Sequence, residues 1–189
     1  MLSWAAWFPD FLKQKNPLLN KFYSGLKSIF IWTDADPYEG VGTSSGTYLT
    51  TFRDLRPVFD GDVGQLIGID PGGLGGVAFL NTMCTQNNYS YSDINSLVFS
   101  IVPIYSWPVQ VITHEFGHSL GSPHTHRCSW NGNNTSIDGC GTQAGFAEGS
   151  CSIGPIPTPA DKGTIMSYCH LISGVGISLS NGFGPQPAQ

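Results

Sequence analysis

Charge is scarce in this sequence. Of 189 residues, 11% are Asp, Glu, Lys or Arg, far below the roughly 25% of an ordinary soluble domain. So little charge excludes a solvated disordered chain and a coiled coil, both of which depend on charged faces. Eight Lys and Arg stand against 13 Asp and Glu, a net charge of −5, so there is no basic surface to neutralise nucleic-acid phosphates. Long apolar runs are missing as well, and none approaches the roughly 18 residues of a membrane span. The five cysteines, Cys84, Cys128, Cys140, Cys151 and Cys169, include no Cys-x-x-Cys pair, which excludes a zinc ribbon and a thioredoxin-type redox motif. The N-terminus lacks a basic stretch and reaches Pro9 and Asp10 too early for a signal peptide.

Glycine and proline are plentiful, 24 and 13 residues, the composition of a loop-rich fold with short elements. The length suits one domain, with or without a small satellite. Four cysteines crowd into residues 128–169, a stretch rich in Gly, Asn, Ser and Pro. Burial alone cannot hold such a segment, so disulfides are its natural staple, and they imply an oxidising compartment. The odd count leaves one cysteine over. An extracellular domain without an export signal reads as a trimmed fragment.

Apolar spacing predicts helices over 11–27 and 47–59, the second with Tyr48, Phe52, Leu55 and Val58 along one side. Strands are expected over 28–33, 63–69, 77–80 and 97–105. The strand at 77–80 is entered through Gly75 and Gly76. Glycine there is either a plain flexible turn or a point where another backbone approaches a sheet edge.

Histidine is the informative residue. All five histidines lie between positions 114 and 170. Residues 108–120 read as a helix with Pro108 in the first turn, where its missing N–H is harmless. Val109, Ile112, Phe116 and Leu120 fall in one narrow sector of it, with His114 and His118 opposite. At i and i+4 those imidazoles are stacked neighbours able to share one metal ion. Glu115 lies beside them, within reach of a metal-bound water without being a ligand. Gly121 ends the helix in the left-handed region, and the sharp exit swings His124 back as a third imidazole. The string reads HExxHxxGxxH from His114 to His124. Its HExxH core arises by chance in well under about one in a hundred chains of this length, and the added Gly and His lower that by roughly three orders of magnitude. Three neutral nitrogens with one open position are the coordination of catalytic zinc. His126, just beyond, is either a further metal ligand or a loop residue, and with three ligands already placed the loop role is favoured.

With a downstream Gly163-Thr-Ile-Met166-Ser-Tyr-Cys169, this pattern resembles the metzincin metalloproteases, and within them the adamalysin/reprolysin branch. Residues Gly76-Val-Ala-Phe-Leu-Asn-Thr-Met-Cys84 resemble that branch's edge strand followed by a cysteine. The resemblance covers roughly residues 28–185. It departs from adamalysins at Thr125, where they carry Asp, and at Tyr168, a tyrosine found in astacins and serralysins.

The resemblance implies an α/β (α+β) zincin-like fold: a twisted, mostly parallel sheet with an antiparallel edge strand, an active-site helix, and a small disulfide-stapled C-terminal subdomain. Residues 1–189 are then one catalytic domain, divided into 1–124 and 125–189, with its closing helix and the partner of Cys84 beyond the chain. It implies a secreted zinc endopeptidase with His114, His118 and His124 as ligands, Glu115 as general base, and Met166 as the turn methionine. Gly76, Val77, Ala78 and Phe79 would form the substrate edge strand, and residues 167–176 would wall the pocket after the cut. Tyr168 either stabilises the transition state or packs beneath the turn. The implied cofactor is one Zn2+, with Ca2+ left open; the implied partners are protein or peptide substrates of a monomer. The four clustered cysteines pair in three ways. Closeness of the third ligand to the methionine turn favours Cys128–Cys169 with Cys140–Cys151. The rival reading is an inactive binding module of the same fold.

Overall fold

The computed structural model describes residues 30–32, 35–69, 73–94 and 98–187. The helix expected over 11–27 lies outside them. Of the strand expected over 28–33, residues 30–32 are described and carry no strand.

Helix α1, Ser45–Leu55, starts at Ser44, whose Oγ accepts the Thr47 N–H at 3.2 Å, one of the donors that a helix start leaves without a partner. It stops before Arg56-Pro57, because a residue preceding proline is pushed out of the helical region. Leu49 and Phe52 are its buried residues, while Leu55 and Val58 are exposed. The expected apolar side therefore reaches the core only in part.

Strands β1 (Gly64–Gly68), β2 (Gly76–Ala78) and β3 (Tyr89–Asp93) form a sheet in the order β1-β3-β2. β1 runs parallel to β3 and β2 antiparallel to it, with Leu66 and Val77 both opposite Tyr91. An antiparallel edge strand on a mixed sheet is the expected architecture.

The central strand β3 was not expected, and the strand expected over 97–105 is absent from residues 98–105. There the chain turns, with Ile104 N–H donating to Ile101 O at 2.9 Å, and Pro103 brings no N–H for a ladder. β3 reads Tyr-Ser-Tyr-Ser-Asp and is buried throughout. Its tyrosines enter an aromatic core: Tyr89 meets Phe52 and Phe59 edge-on at 5.3 Å, and Tyr91 stacks on Tyr48 at 4.9 Å. Its small serines permit the next helix to lie against the sheet. Gln65 Nε2 ties the three together, donating to Ser92 Oγ at 3.1 Å and Ile112 O at 3.0 Å.

Helix α2, Trp107–Ser119, carries Pro108 in its first turn. It ends in a Schellman motif: Ser122 N–H donates to Gly117 O at 2.9 Å and Gly121 N–H to His118 O at 2.8 Å, with Gly121 at φ 102°. The loop after β2 satisfies further carbonyls, Asn81 N–H bonding His118 O and Thr82 N–H bonding Ser119 O.

The apolar sector faces inward only in part: Val109 and Ile112 are half-buried, Val109 against the residues around Met166. Phe116 and Leu120 are 37% and 47% exposed, whereas Gln110, Val111, His114, Glu115, Gly117 and Ser119 are buried. The small residues decide this. A Cβ on Gly117 would fall 2.7 Å from Met166 Sδ and 2.5 Å from Phe183 Cε1, so glycine is what admits those side chains.

From residue 125 onward regular structure is sparse: the short α3, Cys140–Gln143, and 3-10 turns at Cys169–Leu171 and Leu179–Asn181. A second core of Ile165, Met166, Val175, Ile177 and Leu179 gathers around Cys140 and Cys169. The disulfides are Cys128–Cys151 and Cys140–Cys169, which corrects the expected pairing. Thr125 does approach the methionine segment, but a hydrogen bond from its N–H to Met166 O at 3.2 Å makes that contact. Cys140 and Cys169 are both fully buried, on short turns that touch. Cys84 is the free cysteine, exposed beside Asp62.

Candidate metal centre and cleft

Helix α2 and its glycine exit bring His114, His118 and His124 together. The Nε2 atoms of His118 and His124 are 3.0 Å apart, and those of His124 and His114 3.1 Å apart. Each ring gives its other nitrogen away. His114 Nδ1–H donates to Ile165 O at 2.7 Å, His118 Nδ1–H to Ser122 O at 2.7 Å, and His124 Nδ1–H to a Glu148 oxygen at 2.5 Å. With every Nδ1 carrying the proton, three Nε2 lone pairs converge with no hydrogen between them. That arrangement repels itself unless a cation sits among them. Zinc–nitrogen bonds of about 2.0–2.1 Å would set tetrahedral ligands roughly 3.3 Å apart, so the donor set fits a metal ion.

Burial favours the neutral form of the two helix rings, His114 and His118. It lowers His114 well below the ordinary histidine value and His118 to about 4, with the neighbouring imidazoles adding to the effect. Neutral imidazole is the form that binds a metal.

Glu115 lies buried beside the three, and burial raises its carboxyl to about 8. Its Oε2 has no hydrogen-bond partner among the described residues. The edge strand presses against it: a Cβ on Gly76 would come within 2.6 Å of Glu115 Cγ. A cleft of about 300 Å³ opens here, lined by Gly76, Val77, Ala78, Leu80, Glu115 and His118 on one side and by Pro123, His124, Arg127, Glu148 and Tyr168 on the other. Phe79 is not part of it. Its N–H still pairs with Tyr89 O, and its ring packs toward the aromatic core under Arg53. Of the expected 167–176 wall, only Tyr168 lines this cleft.

Met166 is fully buried, and its neighbour Ile165 supplies the carbonyl that holds His114. The Tyr168 ring lies edge-on to His124 at 4.6 Å and 6.0 Å from His114. Burial first, then the carboxylates of Glu115 and Glu148, push its phenol up to about 12, so it stays a hydrogen-bond donor at neutral pH. His126 is 1% exposed and lies flat on His124, centroids 4.9 Å apart and planes 11° apart. Sequence reasoning missed Glu148. Burial alone would raise its carboxyl, but His124 and His126 outweigh that and hold it well below the usual carboxylate range. No motif marks it.

Residues 22–173 match the Reprolysin_5 profile, described as metallo-peptidase family M12. The chain belongs to this family, a reprolysin-like branch of the metzincin metalloproteases. No curated protein matches the chain.

Proposed function

We propose that this chain is a secreted zinc endopeptidase in which His114, His118 and His124 hold the metal and Glu115 is the general base. One observation carries the reading: three Nε2 atoms, each on a ring whose Nδ1 side meets an oxygen acceptor, face each other next to a buried carboxyl group with an unpartnered oxygen. When bound, the ion supplies Lewis acidity, activating a water and polarising the scissile carbonyl. Glu115 takes the proton from the attacking water and delivers it to the leaving amine. Its buried position, which favours the protonated form, suits it to that second step.

The peptide lies extended and antiparallel along β2, the last strand of the described sheet, so that backbone hydrogen bonds hold it while side chains meet the cleft walls. Gly76 brings that backbone close to Glu115. Met166 is the turn methionine. Its role is supported by its burial against Gly117 and by the two carbonyls, of Ile165 and Met166, that fix His114 and Thr125. Residues 1–124 and 125–189 are read as two subdomains of one catalytic domain acting as a monomer, in keeping with separate cores on either side of the cleft. The two disulfides, and the absence among the described residues of any helix long and apolar enough to cross a membrane, are consistent with an extracellular site of action.

Incubation with a mixed peptide library, read by mass spectrometry, tests this. Cleavage abolished by a chelator and restored by zinc is the expected result. Zinc binding without any cleavage would leave the fold as a binding module.

A further inference from the structure

The three ligand histidines are not held alike. His114 and His118 donate to backbone carbonyls, whereas His124 donates to the carboxylate of Glu148 at 2.5 Å, across 24 residues of sequence. We infer that Glu148 is the positioning residue of the third metal ligand, a carboxylate that fixes the tautomer and ring orientation of His124 and makes it the most strongly donating imidazole of the three. The inference rests on the zinc reading above and deepens it.

The surroundings of Glu148 are built for this contact. Its backbone pairs in parallel with Arg127, and its carbonyl accepts the Cys128 N–H at 2.9 Å. The Cys128–Cys151 disulfide closes the same two segments just beyond that pairing. Gly149, at φ 109°, makes the approach feasible, since a Cβ there would fall 2.7 Å from Cys128 Cβ. The chain leaving His124 and the chain carrying Glu148 are thus joined twice, by a backbone bridge that includes the Cys128–Glu148 hydrogen bond and by a covalent bond.

His126 completes the support. Its buried ring lies flat on His124 and sets Nε2 3.6 Å from the same Glu148 oxygen. Gly141 leaves the space into which that ring fits, because a Cβ there would overlap the imidazole. His124 therefore has a ring against one face and a charged acceptor at Nδ1, while Nε2 points to the centre. A carboxylate behind a metal-bound imidazole raises its basicity, and losing such a partner typically weakens metal binding about 10–100-fold.

The test measures zinc affinity by competition with a chromophoric chelator in wild type, Glu148→Ala and Glu148→Gln, alongside histidine 15N spectra of each zinc-loaded protein. Glu148→Ala is expected to bind zinc about 10–100-fold more weakly and to shift the His124 Nδ1 resonance, with His114 and His118 unmoved. Glu148→Gln keeps an acceptor oxygen without the charge; it should lose less affinity while still shifting His124. Wild-type affinity and an unshifted His124 in Glu148→Ala overturn the assignment. If that variant does not fold, as judged by circular dichroism, Glu148→Gln decides in its place, and an unchanged His124 resonance in it overturns the assignment. A wild-type protein that binds no zinc overturns the zinc reading itself and this inference with it.

Discussion

Helix α2 and the segment after it bring residues to one centre by opposite means. On α2, His114, Glu115 and His118 are spaced by the helical repeat, and the helix is seated by Gln65, Trp107 and the loop after β2. Beyond Gly121, His124, Glu148, Met166 and Tyr168 sit on chain with almost no regular structure. There the geometry comes from two disulfides, from glycines that admit neighbours, and from single hydrogen bonds over long sequence distances. Half of the site thus depends on backbone periodicity and half on cross-links. The two halves should fail differently.

The largest effect tests whether both halves are needed. His118→Ala, from the helix, and His124→Ala, from the cross-linked segment, should each lose stoichiometric zinc and with it peptide cleavage, since two imidazoles leave the centre short of ligands. Metal analysis after gel filtration measures this. Retained stoichiometric zinc in His124→Ala would place the centre on the helix alone.

Glu115→Gln comes next. Zinc content should stay at the wild-type level while kcat falls about 10²–10⁴-fold, the usual worth of general acid–base catalysis. Near wild-type turnover would remove Glu115 from the reaction.

Tyr168→Phe probes the cross-linked side without disturbing its ring. A hydroxyl that bonds the transition-state oxyanion is worth about 10²–10³ in kcat, with KM and zinc content little changed. An unchanged kcat would make the ring packing for His124 and nothing more.

Removing a cross-link separates the halves in stability. Cys140→Ser with Cys169→Ser opens a link spanning 29 residues and should cost about 3.6 kcal/mol. Hydrogen exchange should show the loss over residues 125–187, with protection in β1, β3 and α1 kept. Uniform loss through the sheet would mean that the two cores unfold as one unit. Gly76→Ala is the smallest perturbation. Its new methyl meets the Glu115 side chain, so kcat should fall severalfold while the melting temperature moves by only a few degrees.

Legibility in the sequence followed the same division. Helix α2 was readable because Pro108, the i and i+4 histidines and Gly121 all act locally, and the structure differs from the expected bounds by one residue at each end. Its inward face was readable only in part, because the deciding contacts come from Met166 and Phe183, far along the chain. Strand β3 was passed over although Tyr-Ser-Tyr-Ser-Asp has a period-2 alternation; what the sequence did not show is that its serine face is buried as well as its tyrosine face. Disulfide pairing and Glu148 were out of reach for a related reason: neither leaves a periodic trace, and both are set by which turns meet in space.

The bond from His114 to Ile165 O spans 51 residues. It means that the helix can form early, from local contacts, while its first histidine still lacks a fixed orientation. Non-local contacts of that kind are made late, after the intervening chain has been gathered at a cost in loop-closure entropy. The first ring of the proposed centre is therefore oriented only once chain 51 residues further on has been gathered against it.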